Sequence, residues 1–130
     1  MTNSWSDFEL HAREAIQKEL NVELSSGGVI INGKIKNFDL VNQDKRIVGD
    51  IKNYKITEGG NRPSAKFSIL NEYAWLMQLL EKYDGHKWKK LFVIGEDIEM
   101  VKHYVKEFDK WLEDIEVYFF SSSFGLKKMR

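Results

Sequence analysis

The run KLFVIG, residues 90 to 95, limits the fold more than any other stretch of the chain. Beyond Lys90 it carries only apolar side chains and glycine, and it is too short for a buried helix. A strand of this kind is central and buried on both faces, so its sheet needs covering layers above and below. The flanking sequence supplies helices for that purpose. A pattern from about Ser6 to Leu20 places Phe8, Ala12, Ala15, Ile16 and Leu20 on one stripe, with Ser6 and Glu9 spaced as a capping box and Asn21 as a stop. A second helix, roughly Ala65 to Tyr83, is apolar around much of its circumference and ends at Asp84–Gly85. Asp97 caps a third, whose Ile98, Val101, Val105, Phe108 and Leu112 form one stripe.

Between the first two helices the period changes to two. VEL, then GVIING after a turn at Ser25–Gly28, then KNFDLV and RIVGDIKNY read as a meander of about three strands, with turn chemistry at Asn42–Lys45. TEGGNRPS is a loop leading into the second helix. IEVYFF is a last strand, parallel to KLFVIG across the third helix, and SSSFGLKKMR trails off as a basic tail. The predicted order is α-βββ-α-β-α-β, an α/β sandwich with a central mixed sheet flanked by helices. Its 130 residues form a single domain spanning 1–130.

Composition excludes several function classes. Without cysteine there is no disulfide, thiolate-zinc or cysteine-nucleophile chemistry. No apolar run reaches the length of a membrane span and MTNSWSDFEL lacks a secretory pattern, so the chain reads as soluble and cytoplasmic. Net charge is zero, but its distribution is uneven. Residues 27–66 hold eight basic and four acidic side chains, whereas residues 1–26 hold two and five. A basic segment in a neutral chain permits a polyanionic partner. His11, His86 and His103 fall on separate elements without ligand spacing, and Trp5, Trp75, Trp88 and Trp111 read as core or interface.

The hairpin FDLVNQDKRIVGDIKNYK, residues 38 to 55, holds charges where a buried face should be apolar. Strand alternation puts Val48, Asp50, Lys52 and Tyr54 on one side, and the turn at Asn42–Lys45 brings Asp39 toward them. Two converging carboxylates resist joint ionisation. A hard divalent cation such as Mg²⁺ relieves that conflict, takes oxygen ligands and keeps positions open for water and phosphate. Lys52 beside it can orient or deprotonate water, or hold a phosphate.

Asp39, ten residues, then Asp50-x-Lys52, after a helix carrying Phe8-Glu9, resembles the PD-(D/E)XK nuclease superfamily, of restriction endonuclease-like fold. That family's helix, three-strand meander, helix, strand core matches residues 6 to 95 in order. Phe38 stands where the eponymous motif has proline, and no separate specificity domain is evident. The resemblance implies a Mg²⁺-dependent endonuclease, with Mn²⁺ as a substitute, hydrolysing DNA phosphodiester bonds in restriction, junction resolution or repair. It implies Asp39 and Asp50 as metal ligands, completed by the backbone carbonyl of Ile51. Lys52 becomes the catalytic lysine, and Glu9 the helix glutamate, catalytic and a further metal ligand. Lys55, Arg62 and Lys66 are candidate DNA contacts, the last two flanking a helix N-terminus that favours anions. The broadly apolar second helix fits a homodimer or a partner subunit. The rival readings are a non-catalytic nucleic-acid-binding or assembly subunit of the same fold, and an unrelated interaction protein in which the motif is accidental.

Overall fold

Leu91–Gly95 lies fully buried in the fourth strand of one six-stranded mixed sheet. The computed structural model describes residues 4–54 and 64–130. Among them the order is α1 (Ser4–Leu20), β1 (Ser25–Ile31), β2 (Lys34–Asn42), β3 (Ile47–Tyr54), α2 (Ser64–Asp84), β4 (Lys89–Glu96), α3 (Ile98–Leu112), β5 (Glu116–Ser121) and β6 (Gly125–Lys128). The strands lie in sequence order across the sheet, β1 to β6. β1, β2 and β3 pair antiparallel, β3, β4 and β5 parallel, and β6 returns antiparallel on β5.

The helices cover both faces, as the doubly buried β4 requires. On one face Phe8, Ala12 and Ile16 of α1 pack with Leu40, Ile51, Leu91, Val93 and Phe120. On the other, Phe67, Leu70, Ala74 and Met77 of α2 and Val101, Tyr104 and Leu112 of α3 pack with Val48, Phe92, Ile94 and Val117. Each large side chain so buried contributes about 1.5–3 kcal/mol. The local signals behave as read at Asp97, whose carboxylate accepts from the Glu99 and Met100 amides, and at Asn21, which ends α1 with a positive φ.

Several local readings change. The stretch VEL is not a strand, and Ser25–Gly28 is not a turn but the start of β1. The actual turn is Asn32–Gly33, both at positive φ, the two-residue geometry that suits tight hairpins. α1 is already helical at Ser4, so Ser6 is not its cap. The basic tail forms edge strand β6. Trp88 is buried, but Trp75 and Trp111 are half exposed. None of the helices of the described residues is long and apolar enough to cross a membrane.

One feature of the ladder positions the site. β3 pairs with β4 along its full length, from Ile47↔Lys89 to Tyr54↔Glu96. Its pairing with β2 covers only Ile47, Val48 and Gly49, opposite Asn42, Val41 and Leu40. In the β1–β2 pair, Gly27 opposes Phe38 and Ser25 opposes Val41, so β2 spends one extra residue there and bulges at Asp39–Leu40. The hairpin therefore leaves β3 just where Asp39 and Asp50 face each other.

Candidate functional site

Where the β2–β3 ladder stops, two side chains take over its hydrogen bonds. The Asp39 amide donates to Asp50 Oδ1 at 3.1 Å, and the Ile51 amide donates to Asp39 Oδ2 at 3.0 Å. Each aspartate thus binds the backbone of the opposite strand. The N–H and C=O of one strand residue point to the same side, so the Ile51 carbonyl also faces the gap. This geometry brings Asp39 close to Asp50, as strand alternation and the turn lead one to expect, with the Ile51 backbone beside them.

Asp50 is buried at 2 % exposure on the face that α2 covers. Burial disfavours its anionic form, the Asp39 carboxyl bonds and repels it, and Lys52 only partly offsets these effects; its pKa is pushed up to about 7. Lys52 Nζ lies 2.8 Å from Asp50 Oδ2. That contact is a close ion pair, and it makes Lys52 the polar partner of a buried oxygen. Lys52 also sits over the ring of Tyr73, 4.5 Å from its centroid. Burial pulls the Lys52 pKa down, but the attraction of Asp50 outweighs it and the net direction is up, so the amine is held as ammonium.

The two acids open onto a cleft of about 450 Å³, walled by Ser26, Gly27 and Asn37 of the hairpin and by Phe38 and Tyr73. The two rings meet edge to face at 5.8 Å. The cleft opens at the middle of β3, just past the point where its pairing with β2 stops.

Glu9 does not enter this cleft as a third carboxylate. Its Oε1 lies 3.1 Å from Arg13 Nη2. The same nitrogen donates to the Asp39 carbonyl at 2.9 Å and to Ser26 Oγ at 3.1 Å. Among the described residues, no group of three His, Cys, Asp or Glu side chains is arranged to hold a metal ion. The donors at hand are two carboxylates and a backbone carbonyl. A carboxyl pair that resists double ionisation, with one oxygen buried against a single ammonium, has the oxygen donors that a hard cation takes.

Lys66, near the start of α2, lies with its ammonium 5.3 Å from the Tyr54 ring centroid, next to the end of β3. Lys55 and Arg62 lie outside the described residues. Sequence reasoning missed Arg13, Ser26, Asn37 and Tyr73. Arg13 alone had a local signal, its four-residue spacing from Glu9. Compared with known protein families, curated proteins and solved structures, the chain matches none.

Proposed function

We propose that the protein is a divalent-cation-dependent nuclease of the PD-(D/E)XK, restriction endonuclease-like kind, hydrolysing DNA phosphodiester bonds. The observation that carries this reading is the Asp39–Asp50 clasp, which sets two carboxyl groups together with the buried Asp50 Oδ2 2.8 Å from the Lys52 ammonium. The order α-βββ-α-β, with the acids on β2 and β3, adds support. Mg²⁺, or Mn²⁺ in its place, would supply charge neutralisation at the phosphate and a lowered pKa for bound water.

The residues of the chain have separable parts in that reading. Asp39 and Asp50 hold the cation, with the Ile51 carbonyl beside them. Lys52, kept as ammonium by Asp50, holds a phosphate oxygen or orients the attacking water. Tyr73 limits where that ammonium can swing, by the attraction of its ring. The excess of basic over acidic side chains in residues 27–66 is the charge balance that favours a polyanionic partner.

A second reading, a nucleic-acid-binding or assembly subunit of this fold without catalysis, has one observation in its favour. Lys52 is committed to Asp50 and Glu9 to Arg13, so the polar groups largely satisfy one another.

Incubating plasmid, branched and single-stranded DNA with Mg²⁺ or Mn²⁺ decides between them. Cleavage by the wild type that falls to background in Asp50→Ala supports the nuclease. Metal-independent DNA binding with no cleavage of any substrate favours the subunit.

A further inference from the structure

Both polar groups of the Asp39 backbone are bonded by side chains. Its amide donates to Asp50 Oδ1, and its carbonyl accepts from Arg13 Nη2. The bulge explains the need, because Asp39 has no opposed residue in either the β1–β2 or the β2–β3 register. A bulged residue lacks the opposed ladder partner that would fix its peptide plane, and the carboxylate it carries depends on that plane.

Arg13 fixes the carbonyl side of that peptide. Its guanidinium reaches from α1 to β1 and β2 at once, through Glu9 Oε1, Ser26 Oγ and the Asp39 carbonyl. The side chain is only 20 % exposed, and its Nε is buried without a hydrogen-bond partner. An arginine kept there for solubility would hold its polar edge in water. This one turns the same nitrogen inward to Glu9, Ser26 and the Asp39 peptide of the acidic site.

We propose that Arg13 is the positioning residue of the acidic pair, and that Glu9 serves the site by fixing Arg13 rather than by touching cation or substrate. The inference rests on reading Asp39 and Asp50 as a metal site. Partners that orient metal ligands are commonly responsible for 10–100-fold in metal affinity. Arg13 stands in that relation to Asp39, with the difference that it acts on the ligand's peptide instead of its carboxylate.

The test compares Mg²⁺ and Mn²⁺ binding by calorimetry, and the metal dependence of cleavage, for wild type, Arg13→Met, Arg13→Lys, Glu9→Gln and Asp50→Ala. Arg13→Met is expected to raise the half-saturating metal concentration by about 10–100-fold. Its rate at saturating metal stays within about threefold of wild type, because the reacting groups are untouched. Arg13→Lys keeps one donor for the Asp39 carbonyl, restores part of the affinity and guards against a folding defect in the methionine variant. Glu9→Gln keeps an acceptor for Arg13 and shifts half-saturation by less than about threefold.

Unchanged half-saturation in Arg13→Met overturns the proposal, whatever happens to its melting temperature. So does loss of metal binding in Glu9→Gln as complete as in Asp50→Ala, since Glu9 would then be a ligand. A wild type that binds neither metal removes the metal-site reading first and this inference with it. A wild type that binds metal but cleaves nothing leaves the inference decided by the calorimetry alone.

Discussion

Asp39 and Asp50 exchange hydrogen bonds across the break in the β2–β3 ladder, each through the other strand's backbone. The exchange puts two carboxyl groups against each other in a site where Asp50 is almost wholly buried. Burial and the neighbouring carboxyl both resist charge on Asp50. The pair is therefore held together by backbone amides against an electrostatic cost that a cation would remove.

Asp39→Asn separates those two effects. The amide oxygen still accepts from Ile51 N–H, so the strand junction persists, while the repulsion on Asp50 disappears. The metal-free protein is expected to melt at or above the wild-type temperature, and Mg²⁺ should no longer raise it. Scanning calorimetry with and without 10 mM-range metal, a concentration on the order of many times a typical Kd, checks both. A variant that melts lower and still responds to Mg²⁺ contradicts the account.

The pH dependence has a fixed sign. The folded-state pKa of Asp50 stands at about 7, above its ordinary value of 3.8. Between these values the folded state binds more protons than the unfolded state, so the stability contribution is full below the lower value and is lost as pH rises to about 7. The slope from one such group is at most about 1.4 kcal/mol per pH unit. Denaturation in metal-free buffer from pH 4.5 to 8 should show this decline in the wild type, and a flatter profile in Asp50→Asn. Saturating Mg²⁺ should flatten the wild-type profile as well.

Gly27 tests the cleft. It lines the opening beside the two acids, and a Cβ built there meets nothing closer than the Val41 Cβ at 4.0 Å. Gly27→Val should leave the melting temperature unchanged or higher, since a β-branched residue suits a strand better than glycine. The same side chain narrows the approach to Asp39 and Asp50. Under the proposed nuclease function, oligonucleotide cleavage is expected to fall by about tenfold, equivalent to about 1.4 kcal/mol, with Mg²⁺ affinity unchanged by calorimetry.

Gly95 tests the packing of α1. A Cβ there would lie 2.4 Å from the Phe8 ring and 2.5 Å from the Phe120 carbonyl. Gly95→Ala must shift the Phe8 ring of α1 and the Phe120 backbone of β5. A loss of about 1–3 kcal/mol in denaturant unfolding is expected, the range of overpacked cores.

Arg130 tests the last strand. Its guanidinium pairs with Asp109 Oδ1 at 2.8 Å and donates to the carbonyls of Asp109, Glu113 and Ile115. It thus ties the chain to the end of α3 and the start of β5. Arg130→Ala should lower stability by about 2 kcal/mol, the scale of hydrogen bonds to a charged group, and leave metal binding untouched.

The elements and the acidic grouping were legible in the sequence because they depend on local period. Alternation alone placed Asp50 and Lys52 on one strand face, and the turn at Asn42–Lys45 brought Asp39 near them. The apolar run Leu91–Gly95 required helices on both sides, and they are there. What pairing decides was not legible. Ser25–Gly28 has turn composition, yet it is a strand because β2 hydrogen-bonds to it; Gly28 also admits Ile35, which a Cβ would meet at 2.7 Å. SSSFGLKKMR lacks a strand pattern and becomes β6 by completing the edge of β5. The bulge at Asp39–Leu40 and the reach of Arg13 across three elements arise only when strands and helix meet. Sequence period fixes which way a side chain points; only the assembled neighbours decide what it touches.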